Sequence, residues 1–257
     1  MATRRLRVPF LSLLVFIVAA LSLLPMHTAT AQEPQIQYAF TTAAVNGRTE
    51  PVIDPRTLIK PYDPGTLLRV VDAGGDWVRV VHDEWTMYPD LPLSGGPVYV
   101  HKRYLSFVKP EDVAPIQSDE QRRIVIDLSD QHLWAYLGDE LYLETPVSTG
   151  REGRLTPTGT FRIFNKRWSQ NMQGLDDEGD RRSTPGVSYV QYFTENGMAL
   201  HGTYWHNNFG QPMSYGCINV PIDAARRLYI FTTPAHTDFQ QEMIWGVDAK
   251  TVVQIQE

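Results

Sequence analysis

The chain has 257 residues, 42% of them hydrophobic and 20% charged, with a formal net charge of −6. That is long enough for one large domain or two small ones, and the composition excludes a disordered chain, a coiled coil and a repeat solenoid. A mildly acidic chain is also a poor candidate for a general nucleic-acid binder, which normally needs a basic face to neutralise phosphates, so nucleic acid is not expected as a partner.

Residues 1–31 read as an export signal. Arg4, Arg5 and Arg7 form a basic start, Phe10 to Leu24 is an uncharged apolar run, and Ala29-Thr30-Ala31 supplies the small-x-small pattern for cleavage after Ala31. The other reading is a retained anchor, because the stretch from Val8 to Leu24 nearly reaches spanning length. Either way the expected location is the cell envelope, periplasm or extracellular face. Export makes the cysteine count informative, since exported proteins use cysteines in pairs or lose them. The single Cys217 cannot form an internal bridge, so it is either a buried passenger or a reactive thiol.

Residues 33–109 predict a small β domain. Thr66 to Val71 and Trp77 to Val81 read as strands around the turn Asp72-Ala-Gly-Gly-Asp76, and Pro97 to His101 reads as another. This pattern loosely resembles a bacterial SH3-like barrel, although the loop from Glu84 to Gly96 is long for one; a generic β module is the competing reading. Residues 110–122, with Pro110, Pro115 and the polar run Gln117 to Arg122, have linker composition.

From residue 123 to 257 the pattern sharpens into a second, mainly β domain. Strands are expected at Ile124–Leu128, His132–Tyr136, Leu141–Thr149, Thr160–Phe164, Tyr189–Phe193 and Met198–Gly202, the last two joined by the hairpin signal Glu195-Asn-Gly197. One helix is expected, Ala224 to Phe231, with Ala225, Leu228 and Tyr229 on one face, and Thr251 to Ile255 closes as a strand.

The segment from Leu200 to Asn219 carries the chemistry. A nucleophilic cysteine needs a nearby base to raise its thiolate fraction, and His201 lies at the end of an apolar strand, joined to Cys217 by a Gly- and Asn-rich loop. Gly216 permits a tight turn beside the thiol and could aim backbone N–H groups at a developing oxyanion. A helix starting soon after Cys217 would lower the thiol pKa further.

These residues resemble the L,D-transpeptidase signature: an upstream histidine, a variable loop, then Ser/Thr-His-Gly-Cys, an apolar residue, and Asn or Arg. His201, Ser214, Gly216, Cys217, Ile218 and Asn219 match it. So do the D-L-x-x-Q-x-L-x-x-Y run from Asp127 to Tyr136, Val147-Ser-Thr-Gly150, and Thr156-Pro-Thr-Gly-Thr-Phe161. The resemblance implies a β-sandwich in which Cys217 attacks the carbonyl between an L- and a D-centre of a peptidoglycan stem peptide and expels the terminal D-amino acid. His201 serves as base, oriented by a backbone carbonyl of Gly202 or Thr203. The acyl group then passes to a neighbouring stem or a wall-bound protein. A water acceptor would make the chain an L,D-carboxypeptidase, and a homologue that kept the fold without turnover would be a non-catalytic wall-binding protein. One position departs from the pattern: Tyr215 stands where the family has histidine, which changes substrate contacts or rate.

Ser214, Tyr215, Gly202, Thr203, Asn219, Tyr189 and Trp205 are the candidate substrate-binding residues. Ser214 could equally be a turn former, and Tyr189, Tyr192, Tyr204 and Trp205 could be core packing. The N-terminal domain is a candidate contact for glycan or wall polymer. His206 competes with His201 as base, but its place beyond the strand end favours a loop role. No cofactor or metal is expected: His201, His206 and Cys217 fit no zinc spacing, and Asp176 to Asp180 lacks the calcium-loop register. Residues 166–185 fall where the family carries a flap, and are the candidate lid.

Overall fold

The computed structural model describes residues 34–81, 96–175, 178–179, 181–246 and 250–257. The expected export signal therefore lies outside the described residues, as do most of the loop from Glu84 to Gly96 and part of the acidic run from Asp176 to Asp180.

Seven short strands come first: β1 (Gln37–Thr41), β2 (Val45–Arg48), β3 (Leu58–Tyr62), β4 (Leu67–Asp72), β5 (Trp77–Val80), β6 (Val98–His101) and β7 (Leu105–Phe107). Alternation puts Val78, Val80, Val98 and Val100 on one face, where they pack with Val45, Tyr62, Leu68 and Val70. The predicted turn between β4 and β5 is held by Asp72, which accepts from the Gly74 N–H and from Lys102 Nζ. The order is β3-β2-β6-β5-β4-β1-β7, a sheet with β3 and β7 at its edges rather than the barrel-like module expected. Tyr38 of β1 and Leu67 of β4 are spent on the main core instead of on closing a barrel.

That main core lies between two five-stranded sheets. The first joins β8 (Arg122–Asp127), β9 (His132–Leu137), β10 (Glu140–Pro146), β11 (Gly159–Phe161) and β17 (Thr251–Gln256) in the order β10-β9-β8-β17-β11. The second joins β12 (Asn165–Leu175), β13 (Arg181–Tyr192), β14 (Ala199–Thr203), β15 (Ile218–Pro221) and β16 (Met243–Trp245) in the order β15-β14-β13-β12-β16. Ile124, Ile126, Leu133, Ala135, Val253 and Ile255 of the first share one core with Trp168, Leu200, Ile218 and Val220 of the second. Each fully buried Leu or Ile in such a core is worth roughly 1.5–3 kcal/mol relative to exposure.

The predicted helix, α1 (Ile222–Phe231), buries Ala224, Ala225, Leu228, Tyr229 and Phe231. It starts two residues before the expected position, and the four-residue strand β15 separates it from Cys217. Its C-terminal end is closed by Lys166, whose buried Nζ donates to the carbonyls of Tyr229 (2.8 Å), Thr232 (2.9 Å) and Pro234 (3.1 Å).

The segment expected as a lid is a long β12–β13 hairpin, and its base is core. Lys166, Arg167, Ser169 and Gln170 are buried and disguise a strand because their polar groups find partners inside. Arg167 pairs with Glu242 at 3.0 Å, and Arg69 of β4 reaches the same carboxylate at 3.2 Å. Ser169 Oγ donates to the Leu67 carbonyl at 2.5 Å, so β4 and the hairpin are stitched together. The polar stretch before β8 is also tied down: Val113 is buried, the Ile116 N–H donates to the Ile230 carbonyl at 3.0 Å, and Arg226 donates to the Asp112 carbonyl at 2.7 Å.

Candidate active site

Strands β14 and β15 run parallel, with Leu200 opposite Ile218 and His201 opposite Asn219. Side chains alternate across a strand, so Leu200 and Ile218 point together into the core while His201 and Asn219 share the other face. Cys217, one residue before β15, falls in phase with Asn219. His201, Cys217 and Asn219 accordingly line one cavity of about 520 Å³, with Trp205, His206, Met213, Ser214 and Tyr215. The distal part of the hairpin contributes Met172 to Gly174 and Arg182 to Pro185, and Asp63 reaches in from the connection between β3 and β4.

The His201 ring is 3% exposed. Its Nδ1–H donates to the Gly202 carbonyl at 3.2 Å, which leaves Nε2 with its lone pair. Burial pushes the imidazole down to about 4, with the Gly202 carbonyl opposing that shift and nearby His206 reinforcing it. Burial also raises the Cys217 thiol above its ordinary value, partly offset by a backbone hydrogen bond at Ala199. Both shifts favour the neutral form of the group concerned. The expected help from the helix is not supplied, because β15 stands between α1 and the thiol. His206 is half-buried, and burial lowers its pKa. Its Nε2 is engaged with Asn219 Nδ2 at 2.8 Å.

The loop bearing the cysteine is clamped by residues far away in the sequence. Gln131 accepts from the Thr149 N–H (2.9 Å) and donates to Thr149 Oγ1 (2.6 Å), and the Thr149 carbonyl accepts from the N–H groups of Met213 and Ser214. Ser148 and Asn219 exchange backbone hydrogen bonds. Thr156 Oγ1 accepts from the Gly150 N–H and donates to the Gly216 carbonyl at 2.9 Å. The three motifs that precede the cysteine motif in sequence therefore converge to hold one turn. Gly216 adopts φ +113°, and a β-carbon there would lie 2.9 Å from Met198 Cε, so only glycine fits without strain. Its N–H donates to Ser214 Oγ at 3.0 Å, and Ser214 Oγ donates onward to the Cys217 carbonyl at 2.5 Å. Gly216 shapes the turn, and its N–H is already engaged rather than free for an oxyanion.

Of the candidate substrate residues, Trp205, Ser214, Tyr215 and Asn219 line the cavity. Gly202 and Thr203 are buried beneath it, Gly202 serving through its carbonyl. Tyr189 is a correction: it is 1% exposed and packs in the core against Phe40 and Tyr229, because β13 turns that side chain inward. Trp205 lies over His201 with ring centroids 5.7 Å apart and is 42% exposed. Arg182 and Asp63 were not legible as site residues; they arrive through the hairpin and the N-terminal sheet, and no local motif marks either. No group of three or more metal-type ligands occurs among the described residues.

A thiol and a base-competent imidazole in one cavity, above a braced turn, can carry out nucleophilic acyl transfer. Residues 121–255, more than half of the chain, match the model of the YkuD family, the L,D-transpeptidase catalytic domain, and the chain belongs to that family. It is an L,D-transpeptidase-type enzyme. Among solved structures it is similar to the catalytic domain of an Enterococcus faecium L,D-transpeptidase, at 26% identity over 54% of this chain and 99% of that one, TM-score 0.41. It is also similar to L,D-transpeptidases from Mycobacterium tuberculosis H37Rv (19% identity, 87% and 80% of the two chains, TM-score 0.42) and Mycobacterium smegmatis (18%, 87% and 97%, TM-score 0.43). No curated protein sequence matches the chain.

Proposed function

We propose that the chain forms peptidoglycan crosslinks through a Cys217 acyl-enzyme, with His201 as its base. The observation that carries this reading is the parallel register of β14 and β15, which puts both side chains into one cavity while the Gly202 carbonyl fixes the His201 tautomer. As the Cys217 sulfur attacks the scissile carbonyl, His201 Nε2 takes the thiol proton and an S–C bond forms. The C–N bond then breaks, the imidazolium returns its proton to the leaving amine, and a D-amino acid departs. An amine from a second stem attacks the thioester, and the thiol is regenerated with its proton. With both groups favoured in their neutral forms, proton transfer accompanies attack. The substrate lies outside the cytoplasmic membrane, and the basic-then-apolar run of residues 4–24 supports export to it.

Intact-mass spectrometry after incubation with a carbapenem tests this. A single adduct on the unmodified chain and none on Cys217→Ala is expected. Equal labelling of both would refute the thiol mechanism.

A further inference from the structure

Tyr215, which replaces the family histidine, is surrounded by arginines. The Arg154 guanidinium carbon lies 5.4 Å from the ring centroid, that of Arg151 lies 4.5 Å from it, and Arg182 Nη1 donates to the phenol oxygen at 3.4 Å. Arg154 comes from the loop after β10 and Arg182 from β13, so the phenol gathers cations from two separate elements. Both are exposed, and among the described residues neither makes an ion pair with an acid; neighbouring Glu152 pairs with neither. Collecting like charges on one ring costs repulsion. The aromatic face and hydroxyl offset part of it, but they do not neutralise the charge. In a chain with net charge −6, a cationic rim beside the cavity is a local reversal of sign.

We propose that Arg154 and Arg182, held together by Tyr215, form a carboxylate-binding rim that grips the free C-terminal carboxylate of the donor stem peptide. The inference rests on the transpeptidase reading, which puts that carboxylate one residue beyond the scissile bond. Tyr215 stands two residues before Cys217 and lines the same cavity as Arg182, so the carboxylate and the rim meet while the carbonyl faces the thiol. Guanidinium is the group whose planar fork suits a carboxylate. An exposed rim binds weakly enough to release the departing D-amino acid. On this account tyrosine at position 215 is an organiser of cations, a role that histidine, itself able to become cationic, would fill poorly.

The test is binding, kept apart from turnover. On the Cys217→Ala chain, calorimetry compares a stem tetrapeptide with a free C-terminal acid against its C-terminal amide. The acid should bind about tenfold tighter, and Arg154→Gln/Arg182→Gln should remove most of that difference. In the Cys217→Ala chain without arginine changes, raising salt from about 0.05 M to about 0.5 M should shrink the preference as well. Equal affinity for acid and amide, a preference that survives in the double variant, or no binding of either peptide overturns the rim. Carbapenem acylation of Cys217 would still uphold the enzyme in those cases. A rim-dependent preference in a chain whose thiol never acylates would instead overturn the enzyme reading and leave the rim standing.

Discussion

Gly202 offers a direct test of how the fold holds His201, the base we propose. It follows His201 on β14, supplies the carbonyl that accepts from Nδ1, and a β-carbon added to it would sit 2.3 Å from Ser188 Oγ of β13. Ser188 is fully buried, and its hydroxyl makes no hydrogen bond among the described residues, so it cannot swing into solvent to make room. Gly202→Ala should therefore overpack the β13–β14 seam and cost about 1–3 kcal/mol. Ser188→Ala alone should be neutral or stabilising by up to about 1 kcal/mol, because it deletes an unsatisfied buried hydroxyl. In the double variant the nearest contacts become the Ser188 backbone carbonyl at 3.4 Å and Ala225 Cβ at 3.5 Å, both tolerable. The two substitutions should show a favourable coupling of about 1–2 kcal/mol. Urea denaturation gives the stabilities, and the rate of carbapenem acylation reports His201 placement in the same four proteins. A Gly202→Ala chain as stable and as fast as the parent, or a loss that Ser188→Ala fails to relieve, would refute the reasoning.

Three further outcomes follow. His201→Ala should abolish acylation of Cys217, whereas His206→Ala should retain it within about tenfold, since the His206 Nε2 is engaged with Asn219; the reverse pattern in stopped-flow acylation would make His206 the base. His201 and His236 are both buried and both pushed down to about 4, in each case chiefly by burial, from 6.5. Between those values the unfolded chain binds more protons. Their stabilising contribution is thus complete above pH 6.5 and lost as pH falls toward 4, by up to about 3 kcal/mol apiece, which denaturation midpoints from pH 7 to pH 4 will show or disprove. Lys166→Met keeps the apolar stem but strips donors from three carbonyls at the end of α1, and should cost about 3 kcal/mol or more; a loss under about 1 kcal/mol in urea melts would mean that those carbonyls find other partners.

The sequence alone determined whatever depends on local periodicity and near neighbours. Alternation placed β5, β6, β8 and β9, the 3.6-residue repeat placed α1, and the run from Leu200 to Asn219 singled out Cys217 and His201, which line one cavity. The polar strand β12 was invisible, because Lys166, Arg167 and Gln170 are buried only by virtue of carbonyls and a carboxylate brought from elsewhere, and such residues read locally as loop. Tyr189 was ambiguous for the same kind of reason: which way a strand faces is settled by the sheet it joins, and β13 turns it to the core. The tertiary structure alone decided that Gln131, Thr149 and Thr156 brace the cysteine turn, that Gly216 has its N–H tied to Ser214, and that Asp63 and Arg182 reach the cavity from other elements. Chemistry concentrated in one short segment can be read from that segment. The walls of its cavity come from the distal β12–β13 hairpin of the same sheet and from the β3–β4 connection of the N-terminal sheet, and their proximity exists only once these elements have packed.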